Sequence, residues 1–246
     1  MKHPADDPAD TAHPGLVIAV DGPAGSGKST AARGVARALG LCYLDTGSTY
    51  RALTWWLLAH GADVSDPLAV AARCRDLGEA GGGPVIEVGT DPGDPAIRVD
   101  GRDVAAAIRT REVSNAVSAV ASVPEVRSHL VAMQQRIIAG VLATGAGIVA
   151  EGRDIGTVVA PDAMVKVYLT AAEAVRARRR TAELSDPDAT VAVTQDEQAR
   201  RDRSDAPQMG MAPDAVEIDT TGLDLDEVIG EIVSLADSRT AGAWTR

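Results

Sequence analysis

Short apolar runs alternate along this chain with segments of helical period. Leu16-Val17-Ile18-Ala19-Val20 is continuously apolar and suits a strand covered on both faces of a parallel sheet. A helical pattern follows from Ser29 to Leu39, and Gly40 ends it. Cys42 to Asp45 predicts a second strand, and Thr49 to His60 a second helix with Gly61 beyond it. This βαβα succession argues for an α/β layer fold.

The character changes between Gly81 and Asp103. A glycine run precedes Pro84-Val85-Ile86-Glu87-Val88, a turn cluster covers Thr90 to Pro95, and Ala96-Ile97-Arg98-Val99 follows, which predicts a small antiparallel hairpin set into the α/β unit at about 85–99. Helical pattern returns from about Asp103 to Leu142, broken near Pro124. Two more buried strands are expected at Ile148 to Ala150 and Met164 to Leu169. Residues 171–183 are helical and Arg-rich, Ser185 to Thr190 is a polar linker and Gln195 to Asp205 a charged segment. Ala215 to Asp219 supplies a last strand before a helix from Asp224 to Leu235. Residues 1–14 and 238–246 read as polar tails that bury too little to offset their ordering entropy, leaving one domain over 15–237.

The chemistry enters at the first strand. Gly22-Pro23-Ala24-Gly25-Ser26-Gly27-Lys28-Ser29 matches G-x-x-x-x-G-K-[ST], and it stands directly after a buried strand where a helix opens, with Thr30 next. Glycines let backbone N–H groups turn inward around phosphate oxygens, Lys28 can reach the β and γ phosphates of ATP, and the Ser29 hydroxyl can bind Mg²⁺ at the positive end of the helix. A dinucleotide fingerprint would need a third glycine at position 30, which is Thr30. A switch GTPase would need N-K-x-D, but the single asparagine, Asn115, precedes Ala116. A motor ATPase usually ends an apolar strand in paired acids. The nearest segment is Ile148-Val149-Ala150-Glu151, where Glu151 could orient Mg²⁺ through water but the following Gly152-Arg153-Asp154 suggests a substrate phosphate.

Composition narrows the partners. A formal charge of −11 over 246 residues opposes nucleic acid globally while leaving a small anionic substrate open, and no run approaches a bilayer-spanning length of about 20 apolar residues. Neither nucleic acid nor membrane is expected as a partner, and a cytoplasmic location is. Cys42 and Cys74 lack disulfide density or CxxC spacing and read as buried free thiols.

Four separated segments together resemble the bacterial cytidylate kinases: the phosphate loop, Leu44-Asp45-Thr46-Gly47-Ser48-Thr49-Tyr50-Arg51, Ile108-Arg109-Thr110 through Arg127, and Glu151-Gly152-Arg153-Asp154-Ile155-Gly156-Thr157. The loop is shared by many families, whereas D-T-G-x-x-Y-R and E-G-R-D-I-G-T are specific to this one. The similarity spans about residues 16–236. It implies a P-loop NTPase three-layer α/β fold with a central parallel sheet, a β-containing nucleotide-acceptor insert at about 62–108 and a short lid at about 185–212. It further implies phosphoryl transfer from MgATP to CMP and dCMP; a monomer is expected.

By position, the resemblance implies that Thr46 and Arg51 hold the acceptor's sugar and phosphate side, that Ser118, Arg127 and Asp154 contact cytosine, and that Arg153 binds phosphate. Arg fits phosphate or a base carbonyl, and Asp can accept from an exocyclic amine. Plainer roles stay open: Ser118 as a helix residue, Arg127 as a solvated charge, Asp45 and Thr46 as a helix cap. In the lid, Arg201 and Asp205 match R-D-x-x-D and would reach the transferred phosphate and the acceptor sugar, making Lys28, Arg153 and Arg201 the catalytic cations. The family then usually has an arginine where this chain has Gln208, a loss for which Arg200 or Arg203 could substitute. Arg176, Arg178, Arg179 and Arg180 form either a solvated face or a patch against ATP. Another small-molecule kinase of this fold, acting on UMP, AMP or a non-nucleotide, and a non-catalytic nucleotide-binding module are the alternatives.

Overall fold

The computed structural model describes residues 13–75, 77, 83–183 and 190–243. Its elements run β1 (Val17–Asp21), α1 (Lys28–Ala38), β2 (Cys42–Asp45), α2 (Thr46–Ala59), α3 (Pro67–Cys74), β3 (Ile86–Val88), β4 (Ile97–Val99), β5 (Arg102–Asp103), a 3₁₀ turn (Ala107–Arg109), α4 (Arg111–Ala121), α5 (Pro124–Ala143), β6 (Ile148–Glu151), a π turn (Ile155–Val159), β7 (Val165–Thr170), α6 (Glu173–Glu183), α7 (Val191–Asp205), a 3₁₀ turn (Ala206–Gln208), β8 (Val216–Asp219) and α8 (Leu225–Ala243).

Five strands form one parallel sheet in the order β2-β6-β1-β7-β8. Successive side chains on a strand face opposite sides, and here both sides are covered. Ile18, Val20, Val149, Val165, Val167 and Leu169 pack with Ala31, Ala32, Val35 and Ala36 of α1 and Val228, Ile232 and Ala236 of α8. Ala19, Leu44, Ile148 and Ala150 pack on the other side with Ile138 of α5 and with Ile155 and Val159. The continuous apolar runs therefore read as doubly covered strands, and the three-layer α/β fold expected of a P-loop protein is the one formed. Each fully buried Ile, Val or Leu contributes about 1.5–3 kcal/mol relative to exposure.

Between α2 and α5 the chain builds the insert. Leu53 and Leu57 of α2 join Val70 and Cys74 of α3 and Val120, Val126 and Leu130 in one buried cluster, while Ala52 meets Ile97, Val99, Val104 and Ile108. The expected hairpin is present and gains a third strand: β3, β4 and β5 pair antiparallel, with β4 and β5 joined at Asp100-Gly101. Both turn residues have positive φ, 51° and 75°, as a two-residue hairpin turn requires.

Three boundaries differ from the sequence reading. Helix α2 begins at Thr46, three positions early, because the Asp45 side chain accepts from Ser48 N at 2.9 Å and caps it, a polar signal that apolar periodicity does not carry. The stretch read as helix from 103 is a strand end and a 3₁₀ turn before Thr110 caps α4, with Pro124 at the first turn of α5. The chain does not fray at 238: α8 continues to Ala243, with Ala236 buried and Thr240 Oγ1 bonding Ala236 O at 2.9 Å. The tail expected over 1–14 lies outside the described residues except for His13 and Pro14. The linker expected over 185–190 lies outside them except for Thr190, as do 244–246. Cys74 is buried and Cys42 half-buried, both free thiols. Among the described residues no helix is long and apolar enough to cross a membrane.

Strands β1, β2, β6 and β7 end on the same edge of the sheet, at Asp21, Asp45, Glu151 and Thr170. Ligands of open parallel sheets sit outside such carboxyl ends.

Candidate active site

A cleft of about 720 Å³ lies along that edge. On one wall is the loop between β1 and α1. Gly25 and Gly27 have φ of 76° and 89°, and a Cβ on Gly25 would come within 2.8 Å of the Arg176 carbonyl, so the turn closes tightly against α6 only with glycine there. The Lys28 ammonium donates to Pro23 O at 2.7 Å, folding back over its own loop. Burial, and then the neighbouring Arg153, push its pKa down to about 7, with Glu151 and Asp21 opposing the shift. Burial likewise raises the Glu151 carboxyl, which accepts from Tyr43 Oη at 2.7 Å. The loop is thus short of negative charge that a phosphate chain would bring, and Gly25, Gly27, Lys28, Ser29 and Thr30 all open on the cleft.

That shortfall makes nucleotide binding proton-linked. An anion placed against Lys28 raises its pKa, so the amine takes up a proton on binding. At pH 8 calorimetry of ATP binding in buffers of different ionisation heat is expected to show net proton uptake, with affinity falling as pH rises above about 7. Buffer-independent heats, or proton release, would contradict it.

Facing the loop, the segment after β6 makes a π turn whose position is fixed by Asp21: its two carboxylate oxygens accept from Ile155 N and Gly156 N, each at 2.8 Å. Single π turns recur at functional sites. This one delivers Arg153 and Asp154 to the cleft. Arg153 Nη1 donates to Gly22 O at 2.6 Å and Nη2 pairs with Asp205 at 3.1 Å, tying the phosphate loop to the end of α7. Within this segment Glu151 bonds Ser29 at the start of α1, Arg153 ties the phosphate loop to α7, and Asp154 pairs with Arg127.

Next to Arg153 is a knot of guanidinium groups. Arg51 donates to Ser114 Oγ at 2.9 Å and Ile108 O at 3.3 Å. Burial, and then Arg201 and Arg180, press its pKa down to about 9. Arg201 is pressed down to about 10, by burial first and Arg153 second, and its buried Nε has no hydrogen-bond partner. Like charges held this close are stabilised by a bound oxyanion. Thr46 stands beside them, its hydroxyl donating to Glu151 O at 2.7 Å and Gln134 Nε2 bonding Thr49 Oγ1 at 2.9 Å behind it.

The far end of the cleft has different chemistry. Arg127 Nη2 forms a short ion pair with Asp154, and its Nη1 donates to Gln208 Oε1 at 3.3 Å. The hydroxyls of Ser118 and Tyr50 are buried without partners, and both residues line the cleft. A buried unpaired hydroxyl costs about 1–3 kcal/mol, which a polar ligand here would recover.

Of the residues assigned a binding or catalytic role from the sequence, all except Gly22, Pro23 and Ser26 line this one cleft. Those three frame it from behind, Gly22 and Pro23 through the carbonyls that hold Arg153 and Lys28, and Ser26 fully buried. The arginine group of α6 divides. Arg176 is buried, donating to Ala24 O at 3.1 Å and pairing with Asp202 at 2.6 Å, and Arg179 holds Thr220 Oγ1 and O at 2.8 Å each. Arg178 is exposed, and Arg180 lines the cleft. Arg200 and Arg203 do not replace the missing lid arginine: both are exposed and neither lines the cleft, because α7 turns that face to solvent. Sequence reasoning missed Tyr43, Asp21 and the position of Gln208. Asp21 carried a signal, an acid closing an otherwise apolar strand, and Tyr43 carried none.

Among the described residues no group of three or more His, Cys, Asp or Glu is placed to hold an ion. Residues 18–238 match the cytidylate kinase family. A cytidylate kinase of Streptomyces avermitilis is 47% identical over 234 residues, covering 93% of this chain and 95% of that protein. One from Streptomyces coelicolor is 48% identical over 233 residues, covering 93% and 96%, and one from Rhodococcus opacus is 46% identical over 233 residues, covering 92% and 96%.

Proposed function

The chain belongs to the cytidylate kinase family, and on that premise we propose that it transfers the γ-phosphoryl group of MgATP to CMP, and also to dCMP, giving ADP with CDP or dCDP. One observation carries the reading: a single cleft joins a phosphate-binding loop to a subsite with two unpartnered hydroxyls and an Arg127–Asp154 pair, with a knot of arginines between them. That is the layout needed to hold a triphosphate and a nucleotide monophosphate end to end.

The triphosphate lies in the loop from Gly22 to Thr30, with Lys28 leaving the Pro23 carbonyl for the β and γ oxygens. The Ser29 hydroxyl, which opens on the cleft, is the protein group that would hold Mg²⁺ arriving with the nucleotide, and the ion would supply neutralisation of charge developing on the phosphates. Arg51, Arg153 and Arg201 bind the acceptor phosphate and the group in transit, and Thr46 and Asp205 border the sugar. The attacking phosphate oxygen is already anionic near neutral pH, so no strong general base is required. Positioning and charge stabilisation supply the rate.

At the base end, Asp154 accepts from the exocyclic amine of cytosine while Arg127 and Ser118 donate to its ring nitrogen and carbonyl. Uracil offers a carbonyl and an N–H in place of the amine and the acceptor nitrogen, so both contacts reverse their sense. The chain is further proposed to act as a monomer in the cytoplasm, where ATP and CMP are available.

Coupled ADP release with MgATP and CMP, dCMP, UMP or AMP, beside a reaction lacking acceptor, tests this. CMP and dCMP are expected to turn over well above the others, with little ATP hydrolysis in their absence. Silence with CMP, or rapid hydrolysis without acceptor, would overturn it.

A further inference from the structure

Gln208 follows the lid helix α7, at the end of the 3₁₀ turn Ala206–Gln208, yet its amide reaches across to the acceptor side of the cleft. Oε1 accepts from Arg127 Nη1 at 3.3 Å, and Nε2 donates to Ala121 O at 3.5 Å, at the end of α4. The other arm of Arg127 is taken by Asp154. The guanidinium of Arg127 is therefore held at two corners, one by the segment after β6 and one by the lid. Ala121, Ser118, Arg127, Asp154 and Gln208 all line the same end of the cleft.

A guanidinium is planar, so fixing two of its nitrogens fixes the direction of its remaining N–H bonds. With the contact from Gln208 removed, Arg127 keeps one anchor and can swing about it, and the donor pattern facing the base loses its definition. An arginine at 208 would set a second guanidinium beside Arg127 and could not accept from it. The uncharged amide does what a cation there could not.

We propose that Gln208 is a positioning residue of the acceptor-base subsite, holding Arg127 from the lid so that the Arg127–Asp154 pair meets cytosine in one orientation and selects it over uracil. This rests on the CMP kinase reading above. It makes base recognition depend on the seating of the lid, since one side chain belongs to both.

The test is steady-state kinetics of wild type, Gln208→Ala and Gln208→Glu with CMP and with UMP at saturating MgATP. Gln208→Ala is expected to raise KM for CMP about tenfold and to narrow the CMP over UMP preference in kcat/KM by a similar factor, while kcat and KM for ATP move less than about threefold. Gln208→Glu keeps an acceptor for Arg127 and is expected to hold the preference within about threefold of wild type. Equal losses on CMP and UMP in the alanine variant, a loss in kcat alone, or a glutamate variant as unselective as alanine would overturn the assignment. Wild type inactive on CMP would instead overturn the reading beneath it. Wild type active on CMP with selectivity intact in Gln208→Ala would overturn only the role of Gln208.

Discussion

Replacing Lys28 with alanine is expected to lower kcat by about a thousandfold or more while leaving the thermal unfolding midpoint unchanged or slightly raised. The two halves of this expectation have one cause. Lys28 is an ammonium held in a half-buried loop, where desolvation and Arg153 weaken its charged form more than Glu151 and Asp21 support it, and its Nζ donates to the Pro23 carbonyl at 2.7 Å. The folded chain spends stability on keeping it there, so its removal relieves a strain as it leaves a small void. In the reaction the same charge faces oxygens whose negative charge grows in the transition state, in a site that excludes water, where it is worth more than in solvent. ADP release and a thermal melt on one preparation check both halves. Near-normal turnover would remove the loop from the chemistry, and a collapsed melting point would make Lys28 a structural residue.

Substitution of Asp154 carries the second largest expected effect, and it falls on selectivity. Asp154 is buried and anchors Arg127, and on the proposed reading it is the acidic group that meets the base. Asp154→Ala removes the acceptor for the cytosine amine and releases Arg127 from its strongest anchor, so kcat/KM for CMP is expected to fall about a hundredfold, roughly 3 kcal/mol, with UMP falling much less. Asp154→Asn separates charge from shape: its amide can turn its NH₂ towards the uracil carbonyl, and the preference is expected to move further towards UMP than in the alanine variant. Steady-state kinetics with both acceptors decides it. A uniform loss on CMP and UMP would place Asp154 in the phosphate machinery and leave base choice to other groups.

The sequence carried the doubly covered strands clearly, because a parallel strand buried on both faces leaves an unbroken apolar run, as Leu16 to Val20 does. It carried the phosphate loop for a related reason: glycine, lysine and serine at fixed spacing between a strand and a helix have one physical use. Start points set by polar caps were less legible. Asp45 begins α2 three residues before the periodicity does, and Ser238 to Ala243 extend α8 although they look like a polar tail. Hardest to see were roles created by long-range contact. Arg176, Arg178, Arg179 and Arg180 are near-identical in sequence terms, yet one grips the Ala24 carbonyl, one Thr220, one faces solvent and one the cleft. Gln208 stood out as a departure from a pattern, and only the fold showed that its amide lies against Arg127.

Arg153 joins the loop carbonyl of Gly22 to Asp205 at the end of α7, and Arg176 joins Ala24 to Asp202 one turn earlier. Helix α7 and the phosphate loop are thus linked by two arginines, both of which carry charge that a bound triphosphate would attract. On the proposed reading α7 belongs to a lid, whose closure over both substrates would exclude the water that otherwise accepts the phosphoryl group.

The most direct test of the account is a competition between CMP and UMP at equal concentration for limiting MgATP, with the diphosphate products separated and quantified. The ratio of CDP to UDP reports relative kcat/KM for the two bases in one vessel, free of differences in enzyme preparation. A large excess of CDP is predicted from Asp154, Arg127 and Ser118 meeting the cytosine edge. Equal amounts of the two products, or an excess of UDP, would contradict it.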